Sequence, residues 1–367
     1  MSIVDPPSLS PDSDVQSTAR WLRRRTLAFA GVLALCIAGA VAYTIHAARR
    51  TDHHAATVQP VAAIRVEALP GGGSQPYLMF RSTALDDTHG RIAYEQRDEN
   101  DVVQRFVTPL VCERVHYAAG HGICLEVKRG ALTSYHAHLF DQQLRLLHSY
   151  ALAGPPSRAR LSADGRLAAT TVFVSGHSYA SPGFTTRTSI VDVASGQHVV
   201  EDLERVEVLR AGQPFKATDF NLWGVTFTPD AQRYYATLQT GGKLFLVEGD
   251  LAARRMRVIH DDVECPSLSA DGTRIAFKRR IAGVEKGRFV WRLHVLELAS
   301  GLETALSGEA RSVDDQVEWL GEREIAYALP DNSGAASGGT SIWALSIDGG
   351  SQPRLLARLG YSPAYVR

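Results

Sequence analysis

The side chains able to do chemistry in this sequence come in small, scattered groups. His136 and His138 stand two residues apart in Tyr135-His-Ala-His-Leu-Phe140, which reads as a strand, so both rings face one side and can share a metal ion. A third ligand at a recognisable spacing is missing, and the expected reading is a solvated strand face. His53 and His54 lie near the N-terminus and His116 and His121 flank a turn; spacing alone does not gather them. The pairs Asp86-Asp87, Asp261-Asp262 and Asp314-Asp315 lack the alternation of a calcium loop and are expected as surface loop acids. The sequence has no Gly-x-Ser-x-Gly elbow, and Gly334-Ala-Ala-Ser-Gly-Gly339 lacks the Lys-Ser/Thr of a phosphate loop. No catalytic residue, metal site or cofactor is therefore expected. With 39 basic and 39 acidic residues the formal charge is zero, which gives no reason to expect nucleic acid as a partner.

Of the four cysteines, Cys36 lies in an apolar run and Cys265 stands alone, while Cys112 and Cys124 are close in sequence. Leu110 to Val127 reads as two strands about an Ala-Gly-His-Gly turn. A pivot near Ala118 places Cys112 directly opposite Cys124, close enough for a disulfide. Two buried thiols are the alternative.

The elements that must position these groups repeat. Ala159-Arg-Leu-Ser-Ala-Asp-Gly-Arg-Leu-Ala-Ala-Thr-Thr171 and Pro266-Ser-Leu-Ser-Ala-Asp-Gly-Thr-Arg-Ile-Ala-Phe-Lys278 are two copies of one pattern. Val225 to Thr237, with Asp230 at its turn, is a third copy, and Val317 to Tyr327 a degenerate fourth. Each is an apolar strand, a polar turn and a second strand; Asp164-Gly165 and Asp271-Gly272 provide the positive φ that a tight turn needs. A Ser-x-Asp-x-Gly box of the sialidase type would need one more residue before each glycine, so these are structural turns. A third strand follows each hairpin, as in Arg292 to Gly301 or Ser341 to Gly349, and then a poorer fourth, as in Arg255 to Ile259.

Four antiparallel strands repeating every 40 to 65 residues or so describe propeller blades. The earlier units, Tyr77 to Tyr94 and the cysteine hairpin with Tyr135 to Phe140, bring the count to six, with seven as the alternative. Gly360-Tyr-Ser-Pro-Ala-Tyr-Val366 looks like the opening strand of another copy, suited to closing the ring against the first blade. Trp223, Trp291, Trp319 and Trp343 fall on strands and are expected between blades. The fold class is thus all-β, a six-bladed propeller over residues 77–367.

Leu161-Ser-Ala-Asp-Gly165, Leu268-Ser-Ala-Asp-Gly-Thr-Arg-Ile-Ala-Phe277 and Ser341-Ile-Trp-Ala-Leu-Ser-Ile-Asp-Gly-Gly350 resemble the repeats of TolB-type propellers. The resemblance covers residues 77–367 and implies a six-bladed ring used for protein contacts in the bacterial envelope. The α/β domain that precedes the TolB propeller is absent. The matching positions are turn and core residues, so no functional site is carried over.

Residues 27–47 open with about nineteen uncharged positions, enough for a transmembrane helix. Arg20, Arg23, Arg24 and Arg25 precede the run against Arg49 and Arg50 after it, which favours a cytoplasmic N-terminus and an exported propeller. A signal peptide cleaved near Ala40-Val-Ala42 is the alternative. Residues 1–26 read as a disordered cytoplasmic tail, and residues 48–76, with Pro60, Pro70 and Gly71-Gly-Gly-Ser74, as a flexible linker. The expected function is a membrane-anchored, extracytoplasmic, non-catalytic interaction module whose partners are envelope proteins. An enzyme or ligand-binding protein with its site in the central channel is the second reading.

Overall fold

The computed structural model describes residues 12–57, 62–71, 75–97, 102–176, 179, 183–282, 289–331 and 339–367. Two units result, Met1–Thr57 and Val58–Arg367.

The first unit holds one helix, Asp12–Thr57. Its 25-residue stretch Trp21–Ile45 has a mean hydropathy of 2.1 and exposes all its side chains, so it is long and apolar enough to cross a bilayer. The helix continues beyond the apolar run on both sides, where a disordered tail and a linker were expected. Ala, Arg and Gln in the flanks are good helix formers.

The second unit is a ring of six sheets. Blade 1 comprises Tyr77–Ser82, Arg91–Arg97 and Val103–Val111, with Gly360–Val366 as its inner strand. Tyr77 pairs with Val366 and Ser82 with Gly360, so the end of the chain closes the ring as its sequence suggested. The inner strands of blades 2 to 6 are Arg114–Ala118, Pro156–Leu161, Asn221–Phe227, Glu264–Leu268 and Glu318–Trp319, each followed outward by three more strands. Adjacent blades bury their facing sides: Met79, Ile92 and Phe140 are inaccessible to solvent. Each such side chain contributes about 2 kcal/mol by leaving water.

Two edge additions were not foreseen. Ala63–Arg65 pairs in parallel with Val103–Val111 on the outside of blade 1, and Leu69 behind it is buried, so order begins within the expected linker. On blade 4, the hairpin Glu207–Arg210 and Gln213–Phe215 adds in parallel to Arg255–Asp261. This insertion accounts for the long spacing between the third and fourth repeats.

Cys112 and Cys124 are bonded, with Cα atoms 5.4 Å apart. The geometric route to that bridge needs correction, however. Ala118 pairs with His121 and Val115 with Cys124, so the hairpin pivots beyond Ala119 and Cys112 lies outside it. Its N–H donates to Gly90 O (2.8 Å) at the crossover from blade 1. The bridge therefore joins that crossover to the second strand of blade 2, rather than spanning one hairpin.

Candidate functional site

The first three turn copies share one local construction. Ser162 and Asp164 hold the turn of blade 3: Arg166 N donates to Asp164 Oδ1 (3.1 Å), Leu167 N donates to Ser162 Oγ (2.9 Å), and Gly165 sits at φ +70°. Ser269, Asp271 and Gly272 (φ +72°) repeat it in blade 5, and Thr228, Asp230 and Ala231 in blade 4. The hydrogen bond from Ser269 draws the Asp271 carboxyl down to about 2, and Thr228 lowers that of Asp230. These residues shape the rim of the ring face at the C-terminal ends of the inner strands.

That face carries a cup of about 400 Å³ at the channel mouth, lined by His116, Arg160, Phe227, Ser267, Glu318, Trp319, Tyr365 and Arg367, with Pro229 and Ala270 at the turns. Its floor is polar. Arg160 Nη1 pairs with Glu318, Arg160 Nη2 donates to Val317 O (3.0 Å), and Tyr365 N lies 3.4 Å from Glu318 Oε1. Burial pushes the Glu318 carboxyl up, but the Arg160 guanidinium and His116 outweigh it and bring the carboxyl down to about 2. Leu161 N–H donates to His116 Nδ1 (3.2 Å), and Nε2 lies 3.2 Å from Arg160 Nη1 and 3.6 Å from Glu318. Burial lowers the imidazole below its ordinary range, so His116 is neutral at pH 7.

Deeper in, the channel is blocked. Gln316 Nε2 reaches across to donate to Val225 O (3.2 Å) and Pro266 O (2.8 Å) on two neighbouring inner strands. Those strands bulge where Gly224 (φ +67°) and Cys265 (φ +51°) interrupt the ladders. At Gly224 a Cβ would lie 2.8 Å from Cys265 Cα, so only glycine fits. Of the acids foreseen as surface loop residues, Asp314 is exposed while pairing with Lys278 and Arg158, and Asp315 is inside this channel. Asp315 is buried and accepts from Ala328 N (3.1 Å) and Gln316 N (2.9 Å), with Arg114 Nη1 at 3.4 Å. They lead into the inner strand of blade 6, whose side chains face the axis; reading the segment as a loop hid this.

The far end is sealed by ion pairs. Glu264 and Lys278, both inaccessible to solvent, lie 3.3 Å apart. Glu264 also accepts from Arg280 Nε (2.8 Å) and Trp291 Nε1 (3.0 Å), while Lys278 pairs with Asp314 as well. Burial opposes the Lys278 charge, but Asp314 and Glu264 hold the ammonium above its usual range. Tyr179 stacks on Trp223 (4.6 Å between centroids), and its hydroxyl bonds Ser157. Trp223, Trp291 and Trp319 are buried as expected, and Trp343 is partly buried.

His136 and His138 face one side together, as the strand alternation suggested, without a third ligand among the described residues. His138 is held by Glu126 (2.9 Å) and Ser149 (2.7 Å) with His136 stacked beside it (6.0 Å), and no group of three metal-ligating side chains occurs among the described residues. Side chains of His53 and His54 and residues 334–338 lie outside the described set. What the sequence reading missed is the arginine pair Arg158 and Arg160. Alternation on the inner strand of blade 3 aims both at the axis, and charges two apart just before an Asp-Gly turn were the available signal.

Together these features define a six-bladed β-propeller of four-stranded blades with an N-terminal apolar helix. In fold it is a TolB-type propeller. TolB from Acinetobacter baumannii superposes with a TM-score of 0.51 at 16% identity, over 82% of this chain and 68% of that one. Similarity also extends to a chain of the nidogen/laminin complex (TM-score 0.48, 12% identity, 79% and 98% covered). Hydrazine synthase of Kuenenia stuttgartiensis gives 0.44 at 14% identity, with 78% and 77% covered. At these identities the likeness is one of fold, and the fold comparison rests on the first. No family model matches the sequence, and no curated protein matches it.

Proposed function

We propose that this chain is a single-pass protein of the bacterial cell envelope whose propeller lies outside the cytoplasm and receives an envelope protein on its cup face. The observation that carries the non-catalytic reading is the engagement of the channel carboxylates with one another's cations. Glu264 is held by Lys278 and Arg280, Asp314 by Lys278, Asp315 by Arg114 and Glu318 by Arg160. A general acid or base needs a proton poised for a substrate, whereas these groups are engaged by fixed ion-pair partners. What the cup offers instead is a concave, part-aromatic surface with Arg367 and Arg160 beside Trp319, a composition suited to protein contacts. The apolar helix, the arginine excess before it and the disulfide support an anchored, exported placement.

The test is site-specific photo-crosslinking in native membranes of the bacterial host. A crosslinker at Pro229 or Ala270 on the cup rim should give a protein adduct that one at Arg129, away from the cup, does not. Equal adducts at all sites, or none above an anchor-only control, would reject the reading.

The second reading, a small ligand or substrate in the cup, is favoured by the neutral His116 beside Arg160 at its floor. It calls for an activity or affinity that disappears in Glu318→Gln while the fold is retained.

A further inference from the structure

Between the cup and the sealed end the channel holds a small cleft with about 20 Å³ of room for the centre of a water-sized occupant, lined by Arg114, His116, Arg158, Arg160, Asp315 and Ser362 among others. An occupant the size of a water molecule or a halide fits there. Its lining holds three arginines and one carboxylate. Arg114 and Asp315 face each other at 3.4 Å, while Arg158 and Arg160, on the same side of one strand, pair away from it with Asp314 and Glu318.

The terminal nitrogens of those two arginines are occupied. Arg160 uses Nη1 on Glu318 and Nη2 on Val317 O; Arg158 gives Nη1 to Ser157 O (2.9 Å) and holds Nη2 3.6 Å from Asp314. Their Nε–H groups are buried, and neither has an acceptor among the described residues. A charged donor left without an acceptor in the interior is costly, and two of them on side chains lining one cleft ask for a shared acceptor. Protein acceptors nearby are already engaged: Ser362 Oγ donates to Val115 O (3.2 Å) and accepts from Val115 N (3.3 Å), and Asp315 accepts two backbone N–H groups. The buried unmatched groups of the lining are these two donors.

We propose that this cleft is a binding site for a single monovalent anion of halide size, chloride under cellular conditions, held by the Nε–H groups of Arg158 and Arg160. With only these two unmatched N–H donors, it leaves the further oxygens of sulfate or phosphate without partners. The anion completes the donor set at a junction of blades 1, 2, 3 and 6 and so stabilises the ring.

The experiment uses the full chain purified in detergent. Melting is followed in sodium chloride, sodium bromide, sodium sulfate and sodium gluconate at matched ionic strength. Chloride and bromide should raise Tm saturably by about 2–4 °C over gluconate, and sulfate should not. Crystals grown in bromide should show an anomalous peak between Arg158 and Arg160. In Arg158→Lys and Arg160→Lys, which keep the charge and remove the Nε–H, the halide-specific shift should vanish. If either variant fails to fold, the wild-type diffraction decides alone. A peak without anomalous signal, together with equal Tm in chloride and gluconate, would mean an ordered water and overturn the proposal.

Discussion

The two ends of the central channel are built from the same residue types to opposite effect. At the sealed end, Glu264, Lys278 and Arg280 are packed against Trp291, and Lys278 and Glu264 have no solvent access. At the cup end, Arg160, His116 and Glu318 form a comparable cluster, but a 400 Å³ opening stands above it. Charges buried on all sides gain little net stability over apolar side chains of similar shape, yet removing one partner strands the others in a low-dielectric site. The sealed cluster thus ties the inner strands of blade 5 together, with Lys278 reaching Asp314 ahead of blade 6, and the open one presents a polar floor to whatever enters.

The contrast is broken most severely by Lys278→Met, which leaves Glu264 short of a cation. A loss of about 3–5 kcal/mol in denaturant unfolding is expected. Adding Glu264→Gln should restore much of it, and failure to do so would mean the pair is not the lock. Next in size, replacing both Cys112 and Cys124 by alanine frees the crossover near the sealed end. Unfolding should show a loss of about 3 kcal/mol for a loop of this length.

Acid should loosen the cup end through two groups. The His116 imidazole is lowered by burial, so its contribution is full above the unfolded value near 6.5 and declines as pH falls below it. Glu318 is depressed to about 2, so its contribution is present above 4.5 and lost as pH falls from there toward 2. Glu318→Gln should flatten that lower window in a stability profile against pH. The smallest effect is expected for Arg367→Ala on the rim, within about 0.5 kcal/mol in stability. The same change should weaken crosslinking at Ala270, which separates what the cup does from what holds it together.

The blades were legible because their turns are local. Ser162 to Gly165 and Ser269 to Gly272 fold by contacts within five residues, so the sequence carries them whole. Ring closure by Gly360–Val366 was legible for a related reason, since that segment repeats an inner-strand pattern. The edge strand Ala63–Arg65 was not, because three residues paired in parallel carry no periodicity of their own. The Cys112–Cys124 bridge was foreseen from a hairpin register that is shifted in the fold, where Val115 takes the place opposite Cys124. The channel was least legible. Arg160 meets Glu318 across 158 positions and Gln316 meets Val225 across 91, and each inner strand contributes only one or two axial side chains. No window of sequence contains such a site.

The pairing of Tyr77–Ser82 with Gly360–Val366 also sets a clock on the molecule's birth. A chain made from its N-terminus holds blade 1 incomplete until Gly360–Val366 emerges, with the edge at Tyr77 open to any passing strand. Closing so distant a contact is slow, because the entropy of a loop of nearly three hundred residues is lost before the strand pairs. The nascent propeller therefore spends its synthesis as an open arc, and the period between making Ser82 and making Gly360 is when aggregation or chaperone capture decides its yield.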